Sequence, residues 1–198
     1  MKRVMPLVIA GVVGFVPGQA GGQETATEED CDRAIRERAQ AYQQGRRPDE
    51  ESEQLARRCT TIAYSESFGT TSADPKAGRV ATASTGSGCR TIADGRIYYN
   101  GFGQQIIRFV GWLRGCFTRG HMTGGDFWTS IDSCCFWFYE GIVDSKNGGC
   151  FHGCGFVSRY RRGSFVYNPP YPAITTRVQP WFRLRVNGDG TASRSAGD

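Results

Sequence analysis

Two hydrophobic periods divide the chain. Between Cys31 and Ile62 apolar residues recur at helical spacing: Cys31, Ile35, Ala39 and Tyr42 fall at i, i+4, i+8 and i+11, and Leu55, Cys59 and Ile62 form a second stripe. Thr25 or Thr27 can cap the first segment, with Glu28, Glu29 and Asp30 set against the positive end of the helix dipole. Gly45 ends that helix, and Pro48 opens another whose first turn holds Asp49, Glu50 and Glu51. The pattern predicts a helical hairpin over 27–62, inside an N-terminal unit of residues 21–64.

From Cys89 onward the period shortens. Runs rich in aromatic and β-branched residues, such as "QQIIRFVGWLRGCF", "DFWTSID", "CCFWFYEGIV", "GFVSRYRRGSFVY" and "AITTRVQPWFRLRV", alternate with glycine-rich breaks and end at the turn "NGDG". Short strands at this spacing predict an antiparallel β-sandwich over 89–198. Residues 65–88, rich in Ser, Thr and Gly, read as a linker or loop with at most one short strand near Val80. The expected fold class is therefore mainly β: a disulfide-stapled sandwich preceded by a short α-helical hairpin.

One run breaks the alternation expected of a sheet with one wet face. In "SCCFWFYEGIV", residues 133–143, Phe136 and Phe138 share one side of a strand while Trp137 and Tyr139 share the other. Something must cover the second side. The hairpin is the preferred lid, because its own stripe of Ile35, Tyr42, Leu55 and Ile62 needs a partner. Loops are the second choice, and a ligand stacking on an open platform is the third. On that last reading Trp137 and Tyr139 join Arg159 and Arg161 of "SRYRRGSF" in a basic-aromatic surface suited to an anionic cell-wall polymer, a glycan or a protein. The plain alternative for the two arginines is a solvated strand face.

The first residues bear on the compartment. Lys2 and Arg3 precede an apolar stretch from Met5 to Val16, and Gly18-Gln19-Ala20 supplies small residues for cleavage. Residues 1–20 thus read as a secretory signal peptide, giving an extracellular mature chain that starts near Gly21. The apolar stretch is too short to span a bilayer, and no transmembrane segment follows. Removing residues 1–20, with Lys2 and Arg3, lowers the formal charge from +5 to +3, too weak an excess to mark a nucleic-acid binder.

Eight cysteines in an exported chain imply disulfides. Cys31 and Cys59 each lie fourteen residues from Gly45, so they meet at the open end of the hairpin and should pair. The other six, Cys89, Cys116, Cys134, Cys135, Cys150 and Cys154, admit fifteen pairings. Adjacent Cys134 and Cys135 should leave opposite faces of a strand and find different partners, Cys116 among them, while Cys150 and Cys154 close a local loop. A zinc site using His121 or His152 lacks paired knuckle spacing, so neither metal nor cofactor is expected.

Catalytic candidates are sparse. The chain has no G-x-S-x-G elbow and no spare thiol. His121 with Asp126 or Asp132 offers a base, and Glu140, raised in pKa by its aromatic strand, offers an acid beside Asp126, Asp132 or Asp144. The leading expectation is a secreted, non-catalytic interaction module; a small hydrolase using Glu140 or His121 is the alternative, and a secreted toxin or inhibitor a further one.

The letters "YYNGFGQ", "RFVGWLRGCF", "FWFYEGIVDSKNGG", "GFVSRYRRGSF", "AITTRV" and "NGDGT" together resemble a group of small secreted all-β proteins of actinomycetes over about residues 90–191. The resemblance implies an exported β-sandwich and brings no catalytic residues. The hairpin, the Cys134-Cys135 pair and the C-x₃-C at 150–154 depart from it.

Overall fold

The computed structural model describes residues 26–73, 86–169 and 175–198; the signal segment, Thr25 and the strand expected near Val80 lie outside them. Helix α1 (Glu28–Gln43) is opened by Thr27, whose hydroxyl accepts the Asp30 amide at 3.2 Å while the Asp30 carboxylate accepts the Thr27 amide at 3.0 Å. This reciprocal cap satisfies two donors that the first turn would otherwise leave unpaired. Helix α2 (Glu50–Thr60) is capped by Asp49, and Gly45 takes φ +68° in the reversal between the two. Their shared core is Cys31, Ala34, Ile35, Ala56 and Cys59, with an Arg38–Glu53 ion pair at 2.7 Å across the helices.

The first sheet has the order β1 (Tyr64–Ala73), β2 (Ser87–Tyr99), β3 (Gln105–Thr118) and β4 (His121–Ser133), all antiparallel. The second runs β5 (Trp137–Gly149), β6 (Phe156–Tyr167), β8 (Trp181–Asn187) and β9 (Ala192–Gly197), with short β7 (Thr176–Val178) pairing β6. Strand β1 corrects the linker assignment, since all ten of its residues are in register with β2. Threonine is a competent strand residue, and a waiting partner edge outweighs the weak propensity of Ser and Gly.

The sheets close on each other through matched large and small side chains. The inner face of β3 alternates Phe109, Gly111, Leu113, Gly115 and Phe117, and β8 answers with Phe182, Leu184 and Val186. The Phe182 ring lies over Gly111, and a Cβ on Gly115 would come within 2.8 Å of Met122 and Val186. Gly163 of β6 makes the same allowance for Phe109. Such interdigitation is what brings the core to interior packing density.

Trp137 lies inside this core, and Tyr139, partly buried, packs against it. Trp137 packs against Tyr167 with centroids 5.4 Å apart, and Tyr139 against Phe165 at 5.1 Å. The lid expectation is therefore corrected: these rings face the opposing sheet, and the other side of β5 leaves Phe138 exposed. The hairpin instead closes one end of the sandwich. Asn100 donates to the Cys59 carbonyl at 3.0 Å, the Gly101 amide to that of Arg58 at 2.9 Å, and the Trp137 indole to that of Thr60 at 3.0 Å. Phe102 and Phe136 supply its apolar contacts.

All eight cysteines are paired. Cys31–Cys59 and Cys150–Cys154 join as expected, and Cys89–Cys116 bridges directly opposed residues of β2 and β3. Cys134 and Cys135 bond to each other, which corrects the expectation of separate partners. The pair sits in the turn between β4 and β5, where Cys135 and Phe136 have φ of 59° and 67°, so strand alternation does not govern their directions. Among the described residues no helix is long and apolar enough to cross a membrane.

Candidate functional site

The four residues expected to form a ligand surface do not share one. Trp137 is a core residue, Tyr139 is partly buried against the core, and Arg159 and Arg161 project from the inner side of β6, where Val157, Gly163 and Phe165 also lie. Arg159 covers the Phe151 ring at 4.8 Å and Arg161 the Phe127 ring at 5.0 Å, with Arg161 also donating to Asn147 at 2.9 Å. Burial, followed by the neighbouring charge of Arg161, lowers the Arg159 pKa from its ordinary value. These arginines seal the margin between the sheets with their stems and planes.

The catalytic candidates are likewise dispersed. His121 is exposed at the start of β4, while Asp126 and Asp132 lie five and eleven residues along that strand, about 16 and 36 Å away at strand rise. Glu140 is held as a carboxylate: Arg177 grips it through two nitrogens at 3.0 Å each, and Ser164 donates at 2.6 Å. Arg177 first, then Ser164, puts its pKa below the ordinary value, the reverse of the rise expected from burial. Among the described residues no cluster of His, Cys, Asp and Glu gathers in a geometry that could hold an ion.

Glu140 therefore contributes stability that is present above its unfolded-state pKa and lost as pH falls through the lower folded value. Glu140→Gln should lower the thermal midpoint at neutral pH, and the deficit should shrink towards zero in acid. A deficit that grows on acidification would contradict this ion-pair role.

A different surface gathers chemistry. The registers of β1 to β4 place five rows on the outer side of the first sheet. Thr91, Arg114 and Asp126 make the first; Thr70, Ala93, Trp112 and Trp128 the second; Phe68, Gly95, Val110 and Ser130 the third. Glu66, Ile97, Arg108 and Asp132 follow, then Tyr64, Tyr99 and Gln105. Ala93, Ile97 and Val110 are buried here under Phe68, Tyr99 and Trp112, so this face builds a small core from its own rings.

Those rings are arranged as a track. Trp112 and Trp128 stack with centroids 5.9 Å apart and planes 3° from parallel, and Phe68 tilts onto Trp112 at 5.6 Å. Arg108 lies over Phe68 at 5.4 Å, and Tyr64 stacks on Tyr99 at 4.9 Å. Trp128 remains 45% exposed and Tyr64 46% exposed, at opposite edges of the sheet. The two stacks are separated by six residues along β2, about 20 Å. Among the described residues no helix or strand packs over this face.

Half of this track was hidden: Tyr64 ends the stretch assigned to the helical unit, and Phe68 lies in the Ser/Thr/Gly-rich stretch read as a linker. The other half had a readable cue. Trp112 is in phase with Arg108 and Arg114, so a tryptophan shares the polar side of β3.

Fold and surface together define the chain as a disulfide-stapled, two-sheet β protein with an aromatic outer face. No protein-family model, curated protein or solved structure matches it.

Proposed function

We propose that this is an exported, non-catalytic binding module whose first sheet holds a glycan chain against its outer face. The observation that carries the reading is the parallel Trp112–Trp128 pair, in which partly buried Trp112 backs a Trp128 ring that is 45% exposed, on a sheet face over which no helix or strand packs among the described residues. Sugar rings offer apolar C–H faces to such platforms, and an exposed aromatic patch rimmed by polar groups is the usual form of an interaction surface. Glu66, Arg108, Gln105, Ser130 and Asp132 supply donors and acceptors beside the rings for hydroxyl groups. Four disulfides fit an oxidising compartment. The ionised, doubly tethered Glu140 speaks against an acid catalyst at that position.

The test is tryptophan fluorescence titrated with soluble β-glucan, xylan and peptidoglycan fragments. At least one should quench emission, and Trp128→Ala should weaken that binding about ten-fold or more, the scale of a lost aromatic anchor. Its thermal midpoint should change little, because Trp128 is nearly half exposed. No response to any of these glycans, or equal binding by the variant, would overturn the reading.

A further inference from the structure

The outer side of the second sheet has a different chemistry, and we propose that it binds an anionic polysaccharide. The proposal is independent of the aromatic face, which lies on the opposite side of the sandwich. Register places Lys146, Tyr160, Arg183 and Ser195 in one row across β5, β6, β8 and β9, and Gly148, Ser158, Arg185 and Ser193 in the next. Arg162 follows on the same side, opposite Asp144. Arg177 and Glu140 neutralise each other, so among the described residues of these rows Lys146, Arg162, Arg183 and Arg185 stand against the carboxylate of Asp144, which is 4.0 Å from Lys146.

The cations are held in place by rings. Lys146 and Arg183 both lie over Tyr160, at 5.7 and 5.6 Å, and Arg185 covers Phe156 at 4.0 Å. Cation–π contact fixes long side chains without consuming their hydrogen-bond donors, so the charges are presented with less entropy left to lose on binding. They border a shallow basin of about 420 Å³ whose floor includes Gly148, Ser158 and Ser193. Lys146 and Arg183 are two strand spacings apart, about 10 Å, and Arg183 and Arg185 about 7 Å. These are backbone spacings, and a linear polymer with repeated sulfate or carboxylate groups can meet charges set out along such rows. The Ser158 and Ser193 hydroxyls between the charges suit sugar hydroxyls. Both rings already lie beneath cations, and Tyr160 is only 8% exposed, so no free platform is offered to a stacked nucleic-acid base.

The experiment uses the full chain and a fluorescently labelled heparin oligosaccharide, with affinity followed from low to moderate salt. Arg183→Ser combined with Arg185→Ser should weaken binding at least ten-fold and flatten the salt dependence, since fewer counterions are then released. Arg183→Lys with Arg185→Lys should retain most of the affinity, and Lys146→Met alone should lose part of it. Arg46→Ser with Arg47→Ser, in the exposed helix reversal, removes equal charge and should change nothing. All these sites are exposed, and unchanged thermal midpoints would show that folding is intact. Undiminished heparin binding by the serine double variant would overturn the proposal, as would an equal loss in the Arg46/Arg47 control. Single-stranded DNA bound as tightly as heparin would overturn the assignment to a polysaccharide.

Discussion

Phe182→Ala should lower the unfolding free energy by about 4 kcal/mol, within the range for a large ring deleted from a closed core. Phe182 is fully buried, with Phe109 at 5.2 Å and Phe127 at 6.1 Å between ring centroids. Its other neighbour is the bare backbone of Gly111, which has no side chain that can swing into the space. The cavity therefore persists, and its cost adds to the lost transfer energy. Against a total of roughly 5–15 kcal/mol for a domain, the loss is severe. Urea unfolding should show a lower midpoint at unchanged slope.

The same geometry predicts a coupling. Gly111→Ala alone places a methyl group into the Phe182 ring and should destabilise. In the Phe182→Ala background that methyl group enters the vacated space and should restore part of the loss. Simple additivity of the two changes would mean that the sheets do not approach each other at this pair.

Cys31→Ser with Cys59→Ser should have the second-largest effect, about 3.5 kcal/mol on the chain-entropy estimate for residues 28 apart. The loss should be local. The hairpin meets the sandwich at one end, through the carbonyls of Arg58, Cys59 and Thr60 and through Phe102 and Phe136. Amide hydrogen exchange should speed up several hundred-fold in α1 and α2 while β3 and β8 stay protected. Equal acceleration throughout would make hairpin and sandwich a single cooperative unit. Unchanged exchange in the helices would mean that their end contacts, not the bridge, hold them.

How much of this was legible in the sequence depends on how far each feature reaches along the chain. The hairpin was readable because its determinants are local: a threonine cap at 25 or 27, the acid-first turns and the glycine reversal act within a few residues, although Asp49, read as part of the first turn of α2, is its cap. The Cys31–Cys59 bridge followed from its symmetry about Gly45. The strands β2 to β6 and β8 were readable as aromatic and β-branched runs between glycine-rich breaks, and with them the mainly β class. Strand β1 was not, because Ser, Thr and Gly become a strand there only through pairing with β2, fourteen or more residues away by chain.

Register likewise decided that Cys89 opposes Cys116, leaving Cys134 and Cys135 to each other. Above all, a period of two shows which residues share a side of a strand but not which side is turned inward. The sequence by itself determined that Trp137 goes with Tyr139 and Arg159 with Arg161. Only the tertiary structure decided that both pairs face the opposing sheet, while Trp112 with Trp128, and Lys146 with Arg183, face water. Orientation belongs to the packing of two whole sheets, and no single strand carries it.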